Sequence, residues 1–156
     1  MSDVAHKRAC VVDLQDELLK HEQVEINITH YFADGMYARE MVVPKGVVFT
    51  GKVHKTQHII IVSQGDMTIA DENGSVRVQA PYTMVCNPGT KRAGYAHEDT
   101  VWTNFHINPT NEEDVEIIES ALVCDTYEEA QKFITSNDPG KHVDKLIDSG
   151  DSEWHS

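Results

Sequence analysis

Cysteine, basic side chains and long apolar runs are all scarce in this chain. Its three cysteines, Cys10, Cys86 and Cys124, are odd in number, far apart and without a C-x-x-C pair. That pattern suggests neither a disulfide framework nor a structural zinc knuckle, and fits reduced thiols in a cytoplasm. Thirteen Lys and Arg face 26 Asp and Glu, a formal charge of −13. Such a field repels nucleic-acid backbones and anionic membranes, so neither is an expected partner. No apolar stretch approaches ~18 residues, and Met1-Ser2-Asp3-Val4-Ala5-His6-Lys7-Arg8 lacks the apolar core of an export signal. A soluble cytoplasmic protein is expected, and its 156 residues suit one domain.

What is present is a long series of short alternating segments. Val11 to Glu22 reads as an amphipathic helix with Val11, Leu14, Leu18 and Leu19 on one stripe. From Val24 the period drops to two, and Ala33-Asp34-Gly35 supplies a tight turn. Strand-like runs follow at Met36 to Val43, Val47 to His54, His58 to Ser63, Met67 to Ala70, Ser75 to Gln79, Tyr82 to Cys86, Arg92 to His97 and Val101 to Ile107. Turns rich in Gly, Pro, Asp and Asn separate most of them, with no helical stretch between. This predicts a mainly β protein, an antiparallel sandwich or small barrel.

Beyond Asn108-Pro109 the pattern turns helical. Thr110 or Asn111 is expected to cap a helix through Val123, with Glu112 and Glu113 in its first turn, and Thr126 a second helix through about Ser136. Ile117, Ile118, Ala121 and Leu122 form an apolar stripe that needs cover. The domain is therefore placed at residues 1–137, with the barrel over about 24–107 and C-terminal helices over about 111–136. The polar tail 138–156 is expected to be disordered.

The stretch His54-Lys55-Thr56-Gln57-His58 runs straight into Ile59-Ile60-Ile61-Val62 and sets two imidazoles where a strand enters a buried sheet. This centre resembles the cupin superfamily, whose first signature has the form G-x5-H-x-H-x3/4-E-x6-G and whose second is G-x5-P-x-G-x2-H-x3-N. With Gly65 on the last glycine of the first segment, His58 takes the glutamate position, His54 the second histidine and Lys52 the first. In the second, Gly89 takes the glycine and Arg92 the histidine. The resemblance covers about Met36 to His106 and implies a double-stranded β-helix, or jelly-roll barrel, flanked here by an N-terminal helix and C-terminal helices. Three runs, Tyr31 to Glu40, Phe49-Thr50-Gly51-Lys52-Val53-His54-Lys55 and Pro88 to Trp102, also look like uncharacterised cupin-like proteins of bacteriophages. That likeness implies a viral product made in the host cytoplasm and no known activity.

In metal-binding cupins the signature residues ligate one divalent ion. Only His54 is carried over unchanged, while His58 replaces a carboxylate with another competent ligand. Residues four apart in a straight strand stand ~13 Å apart, so a shared ion requires a bend at Lys55-Thr56-Gln57. His97 or His106 could complete a site for one transition metal or zinc ion, and Lys52 and Arg92 would repel it. Alternation places Trp102, Asn104 and His106 on one face.

The same residues suit a different ligand. Lys52, Arg92 and Arg39 projecting beside His54 and His58 would bind a polar or anionic small molecule, with Trp102 and Tyr95 available for stacking. Against these stand core packing for Trp102 and, for Arg39 beside Glu40, a surface or inter-strand ion pair. Without a G-x-S-x-G elbow, hydrolase chemistry is disfavoured, and Cys86 on an apolar strand reads as buried and inert. Three roles follow: a small-ligand-binding module; a metal-dependent isomerase, lyase or oxygenase; or a virion or host-protein interaction through the acidic helices. A homodimer is expected, because sheet edges and apolar helical stripes need cover.

Overall fold

The computed structural model describes residues 2–137, so the tail at 138–156 lies outside the described residues. Helix α1 covers Asp3–Leu18, earlier than the apolar stripe indicated. Its start is set by polar atoms: Ser2 accepts the Ala5 N–H at 3.1 Å, and Asp3 pairs with Lys7 at 2.8 Å. Of the expected stripe only Val11 is fully buried, and Leu19 is 64% exposed. The helix stops where Gln23 turns back to donate to the Leu18 and His21 carbonyls.

Ten strands follow without an intervening helix: β1 (Asn27–Ala33), β2 (Met36–Val43), β3 (Val48–Thr50), β4 (Val53–His54), β5 (His58–Gln64), β6 (Asp66–Asp71), β7 (Gly74–Gln79), β8 (Tyr82–Cys86), β9 (Ala93–Ala96) and β10 (Thr100–Ile107). The predicted run from Val47 to His54 is broken at Gly51-Lys52 into β3 and β4. The chain closes with α2 (Val115–Leu122), β11 (Val123–Cys124) and α3 (Tyr127–Ser136).

Pairing is antiparallel and nested: β2 with β10, β3 with β9, β5 with β8, and β6 with β7. Two further pairings, β10 with β5 and β9 with β6, knit these into sheets of order β1-β2-β10-β5-β8 and β3-β9-β6-β7. This is the expected double-stranded β-helix, or jelly-roll barrel, a long hairpin coiled so that each of two facing sheets takes strands from both arms. Gly65 turns the chain with φ of +98°, where a Cβ would collide with Thr100 and the Asp99 carbonyl.

The main core fills the space between the sheets with Met41, Val43, Ile60, Val62, Met67 and Trp102 among its buried side chains. A smaller cluster joins Tyr37 to Ile118 and Leu122 and fastens α2 across one end of the barrel. Ile117, by contrast, is 53% exposed, and Ala121 also faces water. The start of α2 differs from expectation as well. Asn111 has φ of +52°, Asn108 bonds Glu112 through both backbone groups, and Glu112 accepts from the Glu113 and Asp114 N–H groups. This polar turn consumes residues 108–113, and Asp114 becomes the cap. Thr126 caps α3 as its sequence indicates.

Candidate functional site

Register on β2 and β10 builds the wall of the site. Tyr37 lies opposite His106, Arg39 opposite Asn104 and Met41 opposite Trp102. All six line a single cavity of about 300 Å³. Period-two geometry sends alternate residues of each strand to the same side, so these pairs form three successive steps up the barrel interior.

His54 comes from β4, outside this sheet, while His58 opens β5, the strand beside β10 in the same sheet. His54 ends β4, where its N–H donates to Thr90 and its carbonyl accepts from Gly89, while the Lys55 N–H donates to Leu122. The chain then bends through Lys55-Thr56-Gln57 before β5 begins. That bend resolves the strand-length problem: the His54 and His58 rings stack with centroids 4.0 Å apart. His106 completes the stack, 4.9 Å from His58 and 5.5 Å from His54. One nitrogen from each of the three lies within 4.8 Å of the others.

Their chemistry follows from burial. Loss of water pushes His54 down to about 2, with the neighbouring His58 and His106 adding to the effect. Burial first and His106 second lower His58 to about 3. Burial and the Arg39 charge lower His106 to about 4. All three are neutral near pH 7, each with a nitrogen lone pair. His54 Nδ1, His58 Nε2 and His106 Nδ1 are buried without a hydrogen-bond partner. His58 Nδ1 lies 3.5 Å from the Thr56 carbonyl, the contact that would fix its tautomer and leave Nε2 as the free acceptor. Ligand bonds of ~2.1 Å to a tetrahedral ion require nitrogens ~3.4 Å apart, so closing this set takes small side-chain rotations. The donor set fits a divalent transition metal or zinc.

The cations are distributed less simply than the sequence suggested. Lys52 lines the cavity but is half exposed and pairs with Glu119 at 3.1 Å and Asp125 at 3.6 Å. Arg92 also lines it, is buried, and has its Nε 3.4 Å from Asp71, yet its Nε and Nη1 donors make no hydrogen bond among the described residues. Both repulsive charges are thus offset by carboxylates. Arg39 donates to Met41 Sδ at 2.9 Å, and among the described residues no carboxylate pairs with it, Glu40 included. Trp102 is buried, meets Phe49 edge-on, and donates through its indole N–H to Asn104 Oδ1 at 3.2 Å.

Two candidates lie elsewhere. Tyr95 is exposed on β9, and His97 bonds Thr68 at 2.7 Å rather than joining the other imidazoles. Strand geometry explains both: Tyr95 pairs with Thr68 in the ladder, while its neighbour Gly94 takes the inward position against Phe49. Tyr37 and Glu119 were not singled out from sequence. Alternation from Arg39 would have found Tyr37, whereas Glu119 reaches the cavity only through the docking of α2.

No protein-family model matches the chain, and no curated protein matches it in sequence. Solved structures are similar to it in fold. The KdgF structure from Halomonas sp. is 18% identical, over 62% of this chain and 91% of that one, with a TM-score of 0.49. An uncharacterised conserved protein with a double-stranded β-helix domain from Klebsiella pneumoniae is 15% identical, over 62% and 89%, at 0.49. A cupin-2 domain containing protein from Shewanella frigidimarina is 16% identical, over 61% and 92%, at 0.44. These neighbours are similar in fold alone. Among the described residues no helix is long and apolar enough to cross a membrane.

Proposed function

We propose that the barrel binds one divalent transition metal or zinc ion through His54, His58 and His106, beside a cavity that takes a small polar or anionic ligand. The observation carrying this reading is the set of three neutral imidazoles whose buried, unpartnered nitrogens converge within 4.8 Å. Leaving such groups unsatisfied costs about 1–3 kcal/mol each, a penalty an ion would remove. When bound, the ion would supply Lewis-acid polarisation of a ligand oxygen. Arg39 and Asn104 supply a charge and a hydrogen-bonding amide on the same wall, suited to orienting a carboxylate or a related anion. Tyr37, Trp102 and Phe49 supply apolar faces around it. Lys52 contributes less to anion binding than its charge alone suggests, because it already pairs with Glu119 and Asp125, whereas Arg92 keeps two buried donors without a hydrogen-bond partner among the described residues. In a phage-infected bacterium, the setting that the sequence resemblance implies, this would be a small-molecule-handling protein of the host cytoplasm.

Elemental analysis of untagged protein tests the reading, together with cobalt(II) titration followed by visible spectroscopy. Near-stoichiometric metal and ligand-field bands are expected for the full chain and lost in His54→Ala combined with His58→Ala. A full chain that takes up neither zinc nor cobalt overturns it.

A further inference from the structure

The outer face of the five-stranded sheet is a feature of the fold that the cavity does not use. Its register aligns Tyr31, Ala38, Phe105, Ile59 and Val85 in one row that crosses all five strands, β1 to β8. A shorter row, Met36 opposite Ile107, continues the surface at one end. Tyr31, Met36, Ile59, Val85 and Ile107 are all exposed, Val85 and Ile107 at 62%. Glu40 is the single charged residue at the described outward positions of these strands, and it accepts from Thr103 across the ladder. Helix α1 packs chiefly on β3 and β6, α2 on β11, and α3 on β4 and β11, so the main contacts of the described helices lie elsewhere.

We propose that this face is the contact surface of a two-fold dimer, its occupant a second copy of the same chain. Charge and area both favour this occupant. With a formal charge of −13, two copies repel over most of their surface, and the nearly uncharged sheet face is where approach costs least. Five strands ~4.8 Å apart and about seven residues long present roughly 24 Å by 24 Å, or roughly 600 Å² per copy. Two such faces bury roughly 1,200 Å², within the range of specific interfaces. A two-fold axis sets the same patch on both copies, so the apolar row of one meets the apolar row of the other. The surface differs from the sheet edges and helical stripes that the sequence alone pointed to, and it is independent of the metal site.

Sedimentation equilibrium of the full chain tests this. The expected wild-type species has twice the 17.5 kDa chain mass and tightens with added salt, because screening relieves like-charge repulsion. Ile59→Glu or Val85→Glu is expected to weaken association by at least about 30-fold, since the two-fold presents each charge twice. Val85→Ser, milder for folding, weakens it by a smaller factor. Val76→Glu, on an exposed β7 position of the other sheet, leaves it unchanged. A wild-type chain that stays monomeric at submillimolar concentration overturns the proposal, whether the face is bare or covered by residues 138–156. A dimer unaffected by folded face variants, confirmed by near-ultraviolet circular dichroism, also overturns it, as does one that dissociates with salt, the mark of an oppositely charged contact.

Discussion

Tyr37 and His106 face each other across the β2–β10 ladder with ring centroids 6.0 Å apart and planes 19° from parallel. Tyr37 is buried, and its hydroxyl is bonded to His30 Nδ1 at 2.7 Å. It therefore acts as a wall that holds the His106 ring in the imidazole stack while α2 closes behind it through Ile118 and Leu122. Tyr37→Phe keeps the ring and removes one hydrogen bond, an expected cost of about 1 kcal/mol with metal affinity little changed. Tyr37→Ala empties the wall and is expected to cost about 3–5 kcal/mol in urea unfolding. Cobalt titration of that variant should show an affinity lowered by about 10- to 100-fold, as for loss of a supporting group around a ligand. Unchanged cobalt affinity would remove the positioning role.

Gly94 sets another side of the cavity. A Cβ there would stand 2.6 Å from two atoms of the Phe49 ring, which lies edge-on to Trp102. Gly94→Ala must displace Phe49, and an overpacked core of this kind costs about 1–3 kcal/mol. The Trp102 indole would then see a different neighbour. A shifted emission maximum in the folded variant, alongside a lowered urea midpoint, is the expected result; an unchanged spectrum and midpoint would show that Phe49 moves freely.

Fold and site were legible to different depths. Most strands separated by Gly, Asp and Asn turns lie within a residue of their expected ends, β2 and β8 with both ends correct, because period-two burial and turn chemistry are local signals, whereas β1 starts three residues after Val24. The start of α2 was misplaced because Asn108 and Glu112 satisfy the backbone in a polar turn, which competes with the helix cap and leaves the same residue types in the sequence. Strand β11 escaped notice because two residues carry no period. In the site, His54 and His58 were visible from spacing, and His106 from alternation on its strand. The neutralisation of Lys52 by Glu119 and Asp125 was not visible, since it depends on how α2 and the turn before α3 dock on the barrel.

The three thiols should react in a fixed order. Cys10 is exposed on α1, with its sulfur 3.7 Å from His6 Nε2. Cys124 is partly covered, contacts the Val53 and Thr126 carbonyls, and has its thiol pushed up by burial. Cys86 is fully buried in the core, and burial raises it as well. Thiolate is the reactive form, so labelling of native protein with a disulfide reagent should go Cys10 first, Cys124 more slowly, and Cys86 only at the rate of unfolding. Rapid modification of Cys86 in native protein would contradict its place in the core.

Acid should unfold this protein through its own site histidines. In the unfolded chain an imidazole takes up a proton near 6.5, whereas burial holds His54, His58 and His106 at about 2, 3 and 4 in the fold. Below about 6.5 the unfolded chain therefore binds more protons, and native stability falls as pH falls from there towards 4. Each histidine that stays neutral contributes a slope of about 1.4 kcal/mol per pH unit, so three give up to about 4 kcal/mol per unit. By pH 5 this removes about 6 kcal/mol, enough to unfold a chain at the low end of the usual range of about 5–15 kcal/mol and to weaken markedly one at the high end. Urea midpoints measured in metal-free buffer between about pH 7 and 5 should drop steeply, and His106→Gln should reduce the slope by about a third if it folds. A midpoint that stays level across this interval would mean that the imidazoles reach water or protons in the native state, and that the stack is not buried.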